Sequence, residues 1–221
     1  ACRRVLDLRD SPWVDGPGRT ILDTASLVDA QRYRIVVGTF SGATHGEHAY
    51  LNEAVRRGLE TYAIRERRSL DWEVLNQVMR WCRNHAVDII HTHDFRSDLY
   101  GVIAARRLGI PAVSTCHGWI ANDFKGRLYT RIDKYLLRLF DRVIVVSARM
   151  RDHLLGLGIP AQRIHFLENG EVLLVTAESV ERAGRVATCR RRRPRRTSTR
   201  APRPCPPRST RSAPRAARRC C

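Results

Sequence analysis

Lysine is nearly missing from this chain: of 40 basic residues, two are Lys and 38 are Arg. That bias suggests a GC-rich gene. Methionine is scarce as well, with two copies and none at the start, which points to a processed or incompletely captured beginning. No apolar run approaches the ~20 residues of a membrane-spanning helix. The opening Ala-Cys-Arg-Arg lacks the long apolar segment of a secretory signal. Paired cysteine spacings are absent from residues 1–170, where Cys2, Cys82 and Cys116 stand alone. This argues against a disulfide framework or a Cys-x-x-Cys metal site, and makes a reducing cytoplasm the expected setting.

What is present is unevenly distributed. The net charge is +18, but residues 171–221 carry 15 Arg against 3 Glu, leaving residues 1–170 only mildly basic. From Ala187 to Cys221 the chain uses only Ala, Arg, Cys, Pro, Ser and Thr, a composition that cannot build a core. Two readings of this tail stand. All six residue types have codons with C or G at the middle base, so a frameshift in a GC-rich gene would produce such a run. A genuine arginine-rich tail would instead bind nucleic acid or anionic membrane non-specifically.

Before the tail, apolar strands alternate with amphipathic helices. Arg4–Leu8 reads as a first strand, followed by an Asp-, Pro- and Gly-rich loop to Gly18. Ile21, Leu22, Ala25, Leu27 and Val28 then mark a helix face. A strand, a glycine loop and a helix start form an arrangement suited to phosphate, with Gly16 and Gly18 as the close-approach positions and Arg19 as a nearby cation. Residues 33–40 are a second strand, 46–57 a helix and 60–64 a third strand. Ser69 is the expected N-cap of a helix carrying Trp72, Val74, Leu75, Val78, Met79 and Trp81.

The centre of the chain is Asp88 to Gly118. Ile89 and Ile90 run into His91, His93 and Asp94. A helix with Leu99, Val102, Ile103 and Leu108 follows, and Gly109 and Pro111 stop it. A strand from Ala112 to Thr115 then ends at Cys116, His117 and Gly118. This strand–helix–strand unit has the size of a crossover between parallel strands. Ligands bind beyond the carboxyl ends of such strands, so His93, Asp94 and His117 are expected along one cleft edge. Residues 127–140 read as a helix with Leu128, Ile132, Tyr135, Leu136 and Leu139 as one stripe, the other faces carrying Arg127, Arg131, Lys134 and Arg138. It is either a solvated surface helix or one drawn to anionic lipid. A strand at 142–146, an N-cap at Ser147 with its helix, and a last strand at 163–167 lead to the turn Glu168-Asn169-Gly170. The expected fold is α/β, one Rossmann-like, doubly wound parallel sheet.

Asp-Ile-Ile-His-Thr-His-Asp, the Gly-Ile-Pro before the next strand, the Thr-Cys-His-Gly after it and the closing Asn-Gly together resemble glycosyltransferase family 4. The resemblance covers residues 4–170 and implies the N-terminal, acceptor-side half of a GT-B fold, followed by residues 171–221 as a mostly disordered tail. It implies an enzyme moving a sugar from a nucleotide-sugar donor to a glycan or lipid-linked acceptor, with no cofactor beyond that substrate. It places His117 near the transferred sugar as the catalytic candidate. Gly16, Gly18, Arg19, His93, Asp94 and Asn169 are the substrate-binding candidates. A Gly-Gly pair is usual in the family near the donor diphosphate; here Asp15 precedes Gly16. The family's donor-side glutamates and phosphate-clamping cations belong to a second domain, so the chain as written is expected to be weakly active or inactive. The location implied is cytoplasmic, with peripheral contact at the inner face of the membrane and no specific nucleic acid.

Two other classes fit fewer residues. His91, His93, His117 and Asp94 offer imidazole and carboxylate, which suit zinc, but lack the supporting motif of a metal hydrolase. A non-catalytic anion-binding protein would act through the Arg-rich tail.

Overall fold

The computed structural model describes residues 2–42, 48–67, 71–119 and 124–167. The tail and the Glu168-Asn169-Gly170 turn lie outside the described residues, so Asn169 is not placed. Among the described residues, seven strands, β1 (Arg3–Arg9), β2 (Tyr33–Gly42), β3 (Glu60–Glu66), β4 (Ile89–Thr92), β5 (Ala112–Cys116), β6 (Arg142–Val145) and β7 (Ile164–Phe166), form one sheet. Their order is β3-β2-β1-β4-β5-β6-β7, with every pairing parallel. Among the described residues six helices accompany them: α1 (Gly16–Leu27), α2 (Ala49–Arg56), α3 (Trp72–Asn84), α4 (Phe95–Leu108), α5 (Phe124–Leu136) and α6 (Ala148–Gly156). The expected doubly wound α/β sheet is what forms.

Alternation along the strands decides what packs where. Leu6, Leu8, Val36, Ile90 and Val143 face a layer that includes Val78, Tyr100, Val102, Leu137 and Leu154 from α3 to α6. On the opposite face, Val37 packs with Ile21, Leu22, Tyr50 and Ala54 of α1 and α2. Full burial of such side chains is worth about 1.5–3 kcal/mol each. Helix α4 sits directly on β4 because residue 101 is glycine: a Cβ there would lie 2.4 Å from Thr92 Cγ2. This seating aims the first turn of α4 at the end of β4.

Three expectations need correction. The cap of α3 is Asp71, whose carboxylate accepts from Glu73 N at 3.0 Å, and not Ser69, which lies outside the described residues. Trp72 was grouped with the apolar residues of that helix but is 68% exposed, since it sits at N1, ahead of the face that Val74, Leu75 and Val78 bury. In α5 the apolar stripe is split: Leu128, Ile132 and Tyr135 are 47%, 38% and 61% exposed, while Leu136 is buried and Leu139 packs against the core. The buried face runs through Asp133, Leu136 and Leu137, and the helix tightens into a 3-10 turn at Leu137–Leu139. Hydrophobicity alone misled here, because the inward position 133 carries a carboxylate.

Candidate active site

Strands β1 and β4 are neighbours, yet the chain leaves β1 toward α1 on one face and β4 toward α4 on the other. A crevice opens where connections diverge in this way, at the carboxyl ends of the strands. One sheet face supplies its floor. Val5, Ile89 and Val113 form an apolar row on that face. Two residues further along each strand, the row becomes Asp7, His91 and Thr115.

Asp7 and His91 are register partners on β1 and β4, both almost wholly buried. Asp7 Oδ2 lies 3.0 Å from His91 Nδ1 and 3.1 Å from His93 Nε2. His91 Nε2 lies 2.8 Å from the Thr115 hydroxyl, and His93 Nδ1 lies 3.3 Å from His117 Nε2. The rings of His93 and His117 stack, with centroids 5.6 Å apart at 22°. Burial works to raise the Asp7 pKa, but the two imidazoles outweigh it and hold the carboxyl well below its usual range. Burial, with His93 and His91 close by and Arg9 adding positive charge, pulls the His117 ring down to about 3. His117 is therefore a neutral imidazole at physiological pH.

The loop after β1 is organised by a buried arginine. Arg9 donates to the Asp15 carboxylate and to Trp13 O, and its guanidinium sits 5.2 Å from the Tyr50 ring centroid. Asp15 is the N-cap of α1, accepting from Gly18 N at 2.9 Å. A Cβ on residue 18 would lie 2.2 Å from Arg9 Nη1, so this glycine makes room for the guanidinium. Gly16 faces open space, and Arg19 is exposed on the first turn. At this helix start a carboxylate of the chain itself takes the Gly18 N–H.

Asp94 is the N-cap of α4. It forms a capping box with Ser97 and accepts from Asp10 N at 2.6 Å, tying the β1 loop to this helix. Arg96 lies 3.0 Å from Asp10 and also bonds Glu66. Burial and the Asp94 charge push the Asp10 carboxyl up to about 6. The zinc reading drew on Asp94 and all three histidines; the structure instead groups Asp7 with His91 and His93.

A cavity of about 240 Å³ opens beside His93 and His117, bounded by α4, the end of β5 and α5. Phe95 and Tyr129 stack on one side, 4.7 Å between centroids. Deeper in lie Asp98 and Asp133. Asp98 accepts from the Thr92 and Ser114 hydroxyls, and Asp133 from Trp119 Nε1 at 2.7 Å. Burial raises both carboxyls; the Asp133 charge adds to the rise at Asp98, and the Asp94 charge to that at Asp133.

Of the residues singled out in the sequence, the fold brings His93, Asp94 and His117 to one rim, and sets Gly16, Gly18 and Arg19 on the first turn of α1. Asp7, Arg9, Asp98 and Asp133 escaped the sequence reading. Signals for two of them exist: Asp7 breaks an apolar strand, and Asp98 stands four and seven positions before the buried Val102 and Ala105.

Residues 14–170 match the family model described as Glycosyltransferase Family 4. The chain belongs to glycosyltransferase family 4. Among solved structures, Anabaena Alr3699/HepE in complex with UDP superposes with a TM-score of 0.62 at 19% identity, over 76% of this chain and 44% of its own. A glycosyltransferase from Rickettsia africae ESF-5 gives 0.56 at 18%, over 76% and 43%. A UDP-GlcNAc 2-epimerase from Neisseria meningitidis, bound to UDP-GlcNAc, gives 0.53 at 13%, over 80% and 50%. These likenesses show the fold, the N-terminal half of a GT-B architecture. The family-4 chain spans under half the length of the first structures it matches. No curated protein matches it.

Proposed function

We propose that residues 1–170 form the acceptor-side wall of a glycosyltransferase that moves a sugar from a nucleotide-sugar donor to a glycan or lipid-linked acceptor. Family membership supports the reaction class. The observation that carries the site is the contact of His93 with His117 at the switch point, beside a cavity with stacked aromatics and carboxyl groups. Aromatic faces and hydrogen-bonding carboxyls suit a sugar ring. The nucleotide sugar is the substrate, and the reading asks for no further cofactor.

Transfer of this kind depends on charges aimed at the departing diphosphate in a closed, water-poor cleft. The described wall offers little for that purpose: Arg9 is committed to Asp15, and Asp15 caps the helix that would face an anion. The reading therefore assigns the diphosphate to a second, donor-binding domain following residue 170. It places residues 171–221 outside the catalytic unit. The exposed Leu128, Ile132 and Tyr135, flanked by Arg127 and Arg131, support peripheral contact with anionic lipid at the cytoplasmic face.

The test is nucleoside diphosphate release from a panel of nucleotide sugars with lipid-linked glycan acceptors. It compares the 221-residue chain with a longer form in which a donor-binding domain follows residue 170. Acceptor-dependent release by the longer form, and little by the shorter one, is expected. Robust turnover by the 221-residue chain alone would sink the division of labour. Release that depends on added metal and not on an acceptor would favour a hydrolase.

A further inference from the structure

We propose that Asp7 and His93 are positioning residues that fix the proton of His117 on Nε2, leaving Nδ1 as an acceptor for a sugar hydroxyl. The inference deepens the transferase reading and rests on it for the identity of the ligand; the proton order itself rests on geometry alone.

The order is set from one end. An ionised Asp7 accepts and cannot donate, so the two nitrogens facing it must carry hydrogens: Nδ1 of His91 and Nε2 of His93. A neutral imidazole has a single N–H. His93 Nδ1 is then an acceptor, and the atom 3.3 Å from it, His117 Nε2, must donate. By the same logic the Thr115 hydroxyl donates to His91 Nε2. Asp7 and His91 are almost wholly buried, so bulk water does not offer substitute partners that would scramble the order.

His117 lines the cavity and is left with one lone pair, on Nδ1. A lone pair accepts from a hydroxyl and repels a phosphate oxygen, which has no proton to give. The ring is thus fitted to the sugar and not to the diphosphate. The burial that keeps His117 neutral agrees with this.

The rival occupant of the Asp7–His91–His93 group is a metal ion, since its ligand atoms all lie within 4.8 Å of one another. A metal would take the lone pairs of the nitrogens facing Asp7 and reverse every tautomer, putting the hydrogens on His91 Nε2, His93 Nδ1 and His117 Nδ1. The proton network is favoured because the contacts are 3.0–3.1 Å, ordinary lengths for N–H···O bonds.

The experiment is long-range proton–nitrogen NMR of the histidine-labelled 221-residue chain at about pH 8, above the ordinary imidazole range, with metal content measured on the same sample. Single tautomers are expected: Nδ1–H for His91, Nε2–H for His93 and His117. In Asp7→Asn, and independently in His93→Phe should the first variant unfold, His117 should change from one tautomer to a mixture. Nδ1–H on His117 in the unaltered chain, a single unchanged tautomer in a folded variant, or stoichiometric metal with Nδ1–H on His93 overturns the proposal. Adding methyl hexosides should move the His117 Nδ1 signal, and inorganic diphosphate should not. Movement with diphosphate, or with neither, overturns the hydroxyl assignment. None of these readouts needs turnover, so failure of sugar transfer in the longer form would count against the transferase reading and leave the proton order standing.

Discussion

Asp7 on β1 and His91 on β4 face each other as register partners, and the carboxylate of the first lies 3.0 Å from Nδ1 of the second. The contact links the two strands between which the crevice opens. It also places a negative charge where two imidazoles can share it, at the point from which the rest of the histidine row takes its order.

Asp7→Asn should therefore destabilise the domain by about 2–4 kcal/mol at pH 7, by removing the buried charge and scrambling its partners. The folded-state pKa of Asp7 is depressed, so its stabilisation is fully present above the ordinary carboxylate range and is lost as pH falls through ~4 and below. Urea melts from pH 7 to pH 2 should show an acid-side loss of stability in the unaltered chain that Asp7→Asn largely removes. Equal acid sensitivity in both would show that Asp7 is not held low.

His117 gives a separate pH dependence at a higher range. Its folded pKa, about 3, lies below the unfolded value near 6.5. The unfolded chain takes up a proton that the folded ring refuses, so stability is full above ~6.5 and declines as pH falls from there toward 3. A single such group contributes a slope of up to about 1.4 kcal/mol per pH unit. His117→Gln should flatten the melts between pH 6 and pH 4 by up to one proton. An unchanged slope would mean that the ring titrates alike in both states.

The fold was legible because its signals are periodic. Ile89 and Ile90, or Arg142 to Val145, are buried strands bounded by loops, and Gly109 marks the end of α4 as glycine should. Ser147 caps α6 as its position suggested, accepting from Met150 N. The site was legible at its rim, where His93, Asp94 and His117 follow strands directly. Its interior was not. Asp7 and Asp98 look like interruptions in apolar patterns, and only the sheet register shows that Asp7 meets His91. The surroundings of Gly18 were hidden for a related reason. That Arg9 fills the space above Gly18 and holds Asp15 at the helix start is a three-dimensional fact with no signature in spacing. The stripe of α5 is split because Asp133 points inward, where it accepts from Trp119.

The Asp98–Asp133 pair should reverse the usual sign of a carboxylate's contribution. Both folded pKa values are raised, by burial first, with the Asp133 charge adding at Asp98 and the Asp94 charge at Asp133. The folded state keeps a proton that the unfolded state has released above ~4, so stability declines as pH rises through the raised values. Asp98→Asn keeps a neutral group of the same shape beside Thr92 and Ser114. It should leave stability near pH 5 within about 1 kcal/mol of the original, and raise it at pH 8 by on the order of 1–2 kcal/mol. Thermal melts at the two pH values test this, and a variant destabilised more at pH 8 than at pH 5 would contradict a raised Asp98.

The outward stripe of α5 yields the last prediction. Leu128, Ile132 and Tyr135 recur at helical spacing on a helix that also carries Arg127, Arg131 and Lys134. No helix among the described residues is long and apolar enough to cross a membrane, so contact with a bilayer through α5 would be peripheral. Apolar side chains held at an interface by neighbouring cations bind anionic surfaces through two additive terms, buried area and charge. The triple variant Leu128→Ser, Ile132→Ser, Tyr135→Ser should reduce co-sedimentation with phosphatidylglycerol-containing vesicles by about tenfold, as loss of ~1.4 kcal/mol of binding would. Its melting temperature should stay within a few degrees, because exposed positions contribute little to folding. The comparison must be made in a chain truncated after residue 170, since 15 arginines beyond that point would bind the same vesicles by charge alone. Binding by the truncated chain that is lost in high salt but unaffected by the three serines would mean that the arginines of α5 act without its apolar face. Absence of binding by the truncated chain would remove the helix as a membrane contact.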